Sequence, residues 1–284
     1  MNGGPRLLAV DLDGTLLDPH GRPHAVDVHA VHRALAAGIR VCIVTGRLYS
    51  GTRMVAEVLG VRGAVGCADG SHLVQARDHA TLLHRGMQGD SATVVRDSVA
   101  RSGLATFVFA KDAIGHDAAG LPFVDYIATW SRDIRAARDV FRHELWLAED
   151  GITAVVALGM RDAIEEIAND LARALPEAIA VAGFAVRRGI KEGTWAMVVR
   201  ALGSNKGTAV RFIAEREGVP LKETVSVGDW INDIPMFEAT GRSFAMGQAP
   251  PEVKARASDT LPNTVEQGGG VALAIERAFG IRGA

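Results

Sequence analysis

Two aspartates, Asp11 and Asp13, follow directly after a short apolar segment, residues 7–10. Four consecutive apolar side chains are typical of a strand buried on both faces, so the two carboxylates fall at its carboxyl end. Two neighbouring negative charges are costly unless a cation joins them, and Mg2+ prefers oxygen ligands of this kind. The pair therefore indicates a metal-dependent site, although an ordinary turn built from Asp and Gly remains the alternative interpretation.

Further polar groups stand at other predicted strand ends or helix starts. They are Thr45 with Gly46, Lys206, and Asp229 with Asn232 and Asp233. Because the carboxyl ends of parallel strands meet at one edge of a sheet, we expect these groups to converge on the first pair.

This combination favours phosphoryl transfer, a reaction in which positioning and charge stabilisation supply most of the catalysis. Asp11 is the candidate nucleophile, which would form an aspartyl-phosphate. Asp13 is the candidate general acid that protonates the leaving alkoxide and then, as a base, activates water. Lys206 would neutralise the nucleophile and the transferred group, while a solvated surface side chain is its structural alternative.

The other groups have matching tasks. The Thr45 hydroxyl and the Gly46 amide suit phosphate oxygens, although a Thr-Gly pair is also common in turns. Asp229 would complete the Mg2+ site, and Asn232 and Asp233 would orient phosphate or metal-bound waters. Capping of a helix that starts near residue 231 is the alternative for this last motif, and it is compatible with the functional role.

Composition narrows the class of protein. A chain of 284 residues, of which 48% are hydrophobic, is long and apolar enough for two domains that each have a hydrophobic core. The 31 basic and 33 acidic residues nearly balance, so no broad field favours nucleic acid or an anionic membrane. No segment approaches the ~20 apolar residues of a membrane span, and no leader is evident. Cys42 and Cys67 make neither a disulfide framework nor a thiolate metal site, and they fit a reducing cytoplasm.

The elements that must position these groups follow an alternating pattern. Strands predicted at residues 7–10, 39–45 and 64–67 alternate with helices, which favours right-handed crossovers and a parallel sheet. A mixed segment follows, predicted to be an inserted α+β domain at 84–189. Its predicted helices are 90–101, 131–143 and 161–175, and its predicted strands are 105–110, 153–158 and 179–187. Residues 195–199 are expected to lead back into the first domain, which would comprise 1–83 and 190–284.

Four motifs resemble, in order, those of the haloacid dehalogenase-like (HAD) phosphohydrolase superfamily. They are DLDGTLLD at 11–18, VTGR at 44–47, SNKG at 204–207 and GDWINDIPMF at 228–237. The chain looks most like the Cof-type branch, which carries a C2-type cap between the second and third motifs. The resemblance covers the whole chain and implies an α/β fold: a Rossmann-like, doubly wound parallel sheet core with an inserted α+β cap that sets specificity.

Residue by residue, the resemblance implies Asp11 as nucleophile and Asp13 as acid/base. The second aspartate separates this chain from the dehalogenases that name the superfamily. The implied Mg2+ ligands are the Asp11 side chain, the Asp13 backbone carbonyl and Asp229, with Asp233 in support. The implied phosphate-binding residues are Thr45, Gly46, Lys206 and Asn232.

One departure concerns the segment after the third strand. Many relatives have Asn-Gly there, whereas this chain has Ala68-Asp69-Gly70. The added carboxylate puts the family's substrate contacts in doubt but leaves the four motifs intact. The cap itself shows no readable motif, and its arginines at helical spacing within 131–143 favour a solvated face over a substrate clamp.

The sequence thus predicts a Mg2+-dependent phosphatase for a small phosphorylated metabolite such as a phosphosugar. The protein is expected to be a cytoplasmic monomer or homodimer with no nucleic acid or membrane partner. One alternative is a phosphosugar mutase that uses the same intermediate. Another is a phosphoacceptor module like a receiver domain, although receiver domains are shorter than this chain and lack the acid/base partner. The last is a catalytically silent binding protein.

Overall fold

The computed structural model describes residue 4, residues 6–186 and residues 192–282. The strands are β1 (Leu7–Val10), β2 (Arg40–Ile43), β3 (Ala64–Cys67), β4 (His72–Gln75), β5 (Thr81–His84), β6 (Ala105–Ala110), β7 (Ala113–His116), β8 (Ile134–Ala136), β9 (Ala154–Met160), β10 (Ile179–Ala185), β11 (Thr194–Ala201), β12 (Thr224–Gly228), β13 (Arg242–Ala245) and β14 (Asp259–Thr260). The α-helices are α1 (Ala25–Ala36), α2 (Tyr49–Leu59), α3 (Gly89–Ser102), α4 (Val124–Ile127), α5 (Arg161–Ala174), α6 (Lys206–Arg216), α7 (Ile234–Ala239), α8 (Pro251–Lys254) and α9 (Gly270–Phe279). None of these helices has the length and apolar character needed to cross a membrane.

The chain divides into two compact units. The first comprises Met1–Gly46, Thr52–Leu82 and Asn205–Ala284, and the second comprises Arg47–Gly51 and Leu83–Ser204. The second unit therefore interrupts the first in sequence.

The first unit is built on a five-stranded sheet in the order β14-β13-β12-β1-β2. Every neighbouring pair is parallel, which confirms the predicted parallel sheet, although the strand predicted at 64–67 is not part of it. Strand β1 lies between β12 and β2, and its four apolar residues are buried, as the absence of alternation indicated. Helix α1 packs against α9, and α6 packs against α7. Strands β3, β4 and β5 form a separate small sheet.

The second unit contains a six-stranded sheet in the order β10-β11-β9-β6-β7-β8. Its neighbouring strands are antiparallel except for the pair β7 and β8. Helices α3 and α5 pack against each other, and α5 also packs on β9, β10 and β11. Its core includes Val95 and Val99 of α3, Val155 of β9 and Ile164 of α5, all buried. The unit is therefore an α+β body.

Strand β11 corrects one expectation. Residues 195–199 do not lead back into the first unit, because β11 pairs antiparallel with both β10 and β9 inside the second sheet. The second unit accordingly extends to Ser204. The predicted boundary at residue 190, and the end of the strand predicted at 179–187, lie outside the described residues. A short apolar segment has the same sequence pattern whichever sheet it joins, so the sequence does not show which strands it pairs with.

The helix predicted at 131–143 is also wrong. Residues 134–136 form β8, which pairs with β7 in parallel, and 140–142 form a short 3-10 turn. Side chains at three positions accept hydrogen bonds from backbone amides two residues later: Ser131 from Asp133, Asp139 from Phe141, and His143 from Leu145. Such local bonds compete with the helical pattern, and they outweigh the arginine spacing.

Candidate active site

Strand pairing brings the first and last acidic motifs together. Asp11 follows β1 and Asp229 follows β12, and the Asp11 amide donates to the carbonyl of Val227 at 3.1 Å. One carboxylate oxygen from each of Asp11, Asp229 and Asp233 lies within 4.8 Å of the other two. All three side chains are buried. The arrangement is a compact acidic cluster at the carboxyl edge of the parallel sheet.

Lys206 enters this cluster from the start of α6. Its side chain is 1% exposed, and Nζ lies 2.6 Å from Oδ1 of Asp11 and 2.6 Å from Oδ1 of Asp233. Asn205 caps the helix by accepting from the Thr208 amide at 2.9 Å. A Cβ on Gly207 would collide with the Pro235 carbonyl, so glycine allows α6 to come this close. Lys206 is therefore a buried cation and not a solvated surface side chain.

Asp233 has two tasks, one for each carboxylate oxygen. Its Oδ2 accepts from the amides of Asp229 at 2.8 Å and Trp230 at 2.9 Å, while Oδ1 accepts from Lys206. A Cβ on Gly228 would lie 2.5 Å from the Asp233 Cγ, which explains the glycine at the end of β12. Asp233 therefore caps this turn, as the structural alternative predicted, and its other oxygen bonds Lys206.

Asp229 has neighbours that the sequence analysis missed. Thr15 Oγ1 donates to Asp229 Oδ1 at 3.1 Å, and the Gln248 side chain donates to the Gly14 carbonyl. Gly14 has a φ of +86°, and a Cβ there would collide with the Asp229 carboxylate. Gln248 lies just beyond the end of β13, so its place after a parallel strand was a signal that could have found it.

Three of the four predicted phosphate-binding residues lie next to Asp69. Thr45 is 1% exposed, its amide donates to the Gly66 carbonyl at 2.8 Å, and its carbonyl accepts from the Asp69 amide at 2.9 Å. Asn232 is half-buried, and its Nδ2 donates to Asp69 Oδ1 at 2.9 Å. A Cβ on Gly46 would lie 3.5 Å from the same Asp69 oxygen. These groups share one neighbourhood, and Asp69 belongs to it.

Asp13 stands apart from the buried cluster. The chain turns so that Asp11 and Leu12 are buried and Asp13 is exposed. Among the described residues, the group of carboxylates within 4.8 Å of one another does not include Asp13. Its exposed position suits a group that exchanges protons with substrate and water.

The electrostatics of the cluster show an excess of negative charge. Burial raises the pKa of Asp11 well above its ordinary value, although Lys206 opposes the shift. Burial also raises the pKa of Asp229 to about 7, and the neighbouring Asp233 adds to this. Burial by itself would lower the pKa of Lys206, but Asp11 and Asp233 outweigh it, so that pKa is raised.

This charge balance fits a divalent cation. Three carboxylates face one ammonium, which leaves two negative charges uncompensated when all groups are ionised. The donor set consists of oxygen atoms, which suits Mg2+ and disfavours softer metals. Among the described residues, the carboxylates of Asp11, Asp229 and Asp233 form a group that could hold such an ion. The predicted contribution of the Asp13 backbone carbonyl stays a prediction.

Comparisons with known proteins identify the family of this chain. A family model for haloacid dehalogenase-like hydrolases matches residues 8–275. Phosphatase YwpJ of Bacillus subtilis is 25% identical over 93% of this chain and 96% of its own length. Pyridoxal phosphate phosphatase YbhA of Escherichia coli is 26% identical over 89% of this chain and 92% of its own.

A solved structure gives the same result for the fold. A haloacid dehalogenase-like hydrolase from Bacteroides thetaiotaomicron superposes with a TM-score of 0.82 at 22% identity, covering 97% of this chain and 100% of its own. The match confirms the Rossmann-like α/β fold predicted from the motifs. The chain belongs to the haloacid dehalogenase-like hydrolases, the superfamily that its four motifs resemble.

Proposed function

We propose that this protein is a Mg2+-dependent phosphatase that hydrolyses a small phosphomonoester through an aspartyl-phosphate on Asp11. The observation that carries the proposal is the buried cluster of Asp11, Asp229 and Asp233 with Lys206 bonded to two of its members. Relatives named as phosphatases support the reaction class. Substrate selection is assigned to the inserted unit, since caps set specificity in the family that the motifs resemble.

Asp11 would attack phosphorus. Lys206 holds its Oδ1 and so fixes the orientation of the carboxylate. Attack forms a bond from an Asp11 oxygen to phosphorus and breaks the phosphorus to ester-oxygen bond. Mg2+ would be held by the Asp11 side chain, the Asp13 backbone carbonyl and Asp229, with Asp233 in support, and it would supply positive charge next to the transferred group. Thr45, Gly46, Lys206 and Asn232 would bind the remaining phosphoryl oxygens.

Asp13 would handle the protons of both half-reactions. As an acid it gives its proton to the leaving alkoxide, which departs as an alcohol. The resulting carboxylate then takes a proton from water as that water attacks phosphorus. The second attack releases inorganic phosphate, restores the Asp11 carboxylate and returns Asp13 to its protonated form.

Replacing Asp13 with Asn should separate the two half-reactions. With para-nitrophenyl phosphate the leaving group needs no proton, so we expect a burst of one p-nitrophenol per active site. Steady turnover should then fall by roughly 10²–10⁴-fold, because water activation is lost. Stopped-flow absorbance measures both phases, with the exposed Asp90→Asn variant as the control. Steady hydrolysis at the wild-type rate would contradict the role of Asp13.

Mg2+ should raise the melting temperature more at pH 8 than at pH 5. Because the pKa of Asp229 is about 7, this carboxyl is protonated at pH 5 without metal and must release its proton before an ion binds. Without metal, Asp229 keeps its proton up to about pH 7 in the folded state, whereas the unfolded chain releases it near pH 4. This difference stabilises the folded state at low pH, and the stabilisation is lost as pH rises from about 4 to about 7. Mg2+ offsets that loss by binding the folded state.

Thermal unfolding at both pH values, with and without MgCl2, measures this linkage. Asp229→Asn is the matched control, since it keeps the side-chain shape but removes the titrating group. We expect its Mg2+-induced shift to be small at either pH. An equal shift at pH 5 and pH 8 in the wild type would contradict a metal site at Asp229.

A panel of phosphometabolites assayed with and without Mg2+ tests the proposed function. We expect release of inorganic phosphate that depends on Mg2+, with phosphosugars and similar small phosphomonoesters as the predicted substrates. Isomerised sugar phosphate without free phosphate would instead identify a mutase, and a long-lived phosphorylated protein would identify a phosphoacceptor. The monomeric or homodimeric state and the cytoplasmic location stay predictions.

A further inference from the structure

Asp69 occupies an unusual backbone segment. Ala68, Asp69 and Gly70 have φ values of +47°, +50° and +91°, so three consecutive residues adopt left-handed conformations. Residues other than glycine rarely do so, and such conformations concentrate where function requires them. A Cβ on Gly70 would lie 2.5 Å from the Asn205 carbonyl oxygen, so this turn fits closely against the start of α6.

Asp69 joins residues from two different strand ends. Its amide donates to the Thr45 carbonyl after β2, and its Oδ1 accepts from Asn232 Nδ2 after β12. Both partners are predicted to bind phosphate. The same Asp69 carboxylate also lies beside Gly46. Asp69 therefore lies next to three of the four predicted phosphate-binding residues: its backbone amide bonds Thr45, and its carboxylate bonds Asn232 and lies beside Gly46.

The Asn232 side-chain amide has a donor end and an acceptor end, and the bond to Asp69 involves the donor end. Its oxygen and nitrogen ends have nearly the same shape, so the partners decide which end faces which way. Among the described residues, Oδ1 of Asn232 is buried and has no hydrogen-bond partner. The Asn232 Nδ2 donates a hydrogen bond to the carboxylate oxygen Oδ1 of Asp69, which accepts it. Asp69 thus holds the NH2 end in place, and one N–H remains to donate elsewhere.

We propose that Asp69 is a positioning residue that orients the Asn232 amide so that its second N–H donates to a phosphoryl oxygen. The inference rests on the proposed function, since it assumes that phosphate binds at Asn232. The proposal requires an acceptor oxygen at position 69, which the Asn of many relatives would also supply.

Three variants test the proposal. Asp69→Gly removes the carboxylate without strain at a positive φ, Asp69→Asn keeps an acceptor oxygen, and Asn232→Ala removes the amide. We expect Asp69→Gly to raise KM for para-nitrophenyl phosphate and Kd for inorganic phosphate roughly five- to tenfold, which corresponds to one lost hydrogen bond. Its kcat should change by less than about twofold, and Asp69→Asn should keep both constants near the wild-type values.

The double variant distinguishes two explanations for the effect of Asp69→Gly: loss of the bond that orients Asn232, and greater flexibility of the turn at residue 69. In the Asn232→Ala background, Asp69→Gly should cause no further change, because the group that Asp69 orients is already absent. An additive effect would overturn the proposal, as would Asp69→Asn behaving like Asp69→Gly.

Calorimetry with inorganic phosphate and Mg2+ keeps this test separate from catalysis. If the wild type binds phosphate but does not hydrolyse the ester, the proposed function fails while the Kd values still decide the role of Asp69. If the wild type binds no phosphate, both fail.

Discussion

Replacing Asp11 with Asn should lower kcat for phosphomonoester hydrolysis by ~10⁴-fold or more, since effects of this size follow the loss of a catalytic nucleophile. The amide has nearly the same shape as the carboxylate but cannot form the aspartyl-phosphate. The fold should survive, because Lys206 keeps its bond to Asp233 and the repulsion among the buried carboxylates is reduced. Release of inorganic phosphate from saturating substrate measures the loss.

The control for this variant is Asp90→Asn, which makes the same chemical change at an exposed position in the second unit. It should keep wild-type turnover. Circular dichroism and the melting temperature show whether Asp11→Asn is folded. A folded Asp11→Asn protein with turnover close to the wild type would remove Asp11 from the mechanism.

Replacing Lys206 with Met should have the largest effect on stability and should also abolish turnover. Lys206 is 1% exposed and bonds to two carboxylates at 2.6 Å, so its loss leaves Asp11 and Asp233 buried without their cation. Removing one partner of such a buried ion pair costs about 3–5 kcal/mol of unfolding free energy. The cost should be greater at pH 8 than at pH 5, because burial raises the pKa of Asp11 and its protonation at the lower pH removes an unpaired charge.

Urea unfolding of the metal-free protein at both pH values measures this cost. The exposed Lys222 offers a matched control, and Lys222→Met should change the unfolding free energy by less than about 0.5 kcal/mol. A Lys206→Met protein as stable as the Lys222→Met protein would show that the buried ion pairs contribute little.

Much of the site could be predicted because it follows from strand ends. The apolar runs before Asp11 and Asp229 mark buried strands, and parallel pairing of β12 with β1 carries both carboxylates to one edge. Thr45 follows β2, the other neighbour of β1. Motifs that stand directly after such strands are therefore accessible to sequence reasoning.

Other features depend on packing that the sequence does not display. Nothing local distinguishes Lys206 from a surface lysine, and only the approach of α6 to the sheet buries it. The bond between Asp69 and Asn232 depends on left-handed backbone at Asp69, which composition alone does not reveal. In the second unit, the sequence pattern does not show that β11 pairs with β9. The arginine spacing predicts a helix at 131–143, but bonds between side chains and the backbone outweigh it.

Mapping the covalent intermediate tests the central claim most directly. The Asp13→Asn protein is mixed with substrate and Mg2+, quenched in acid during the burst, digested and analysed by mass spectrometry. We predict one phosphoryl group on the peptide that contains Asp11, and none in the Asp11→Asn protein treated in the same way. A phosphoryl group on a different residue, or steady turnover of the wild type with no phosphorylated protein in any quenched sample, would contradict the account.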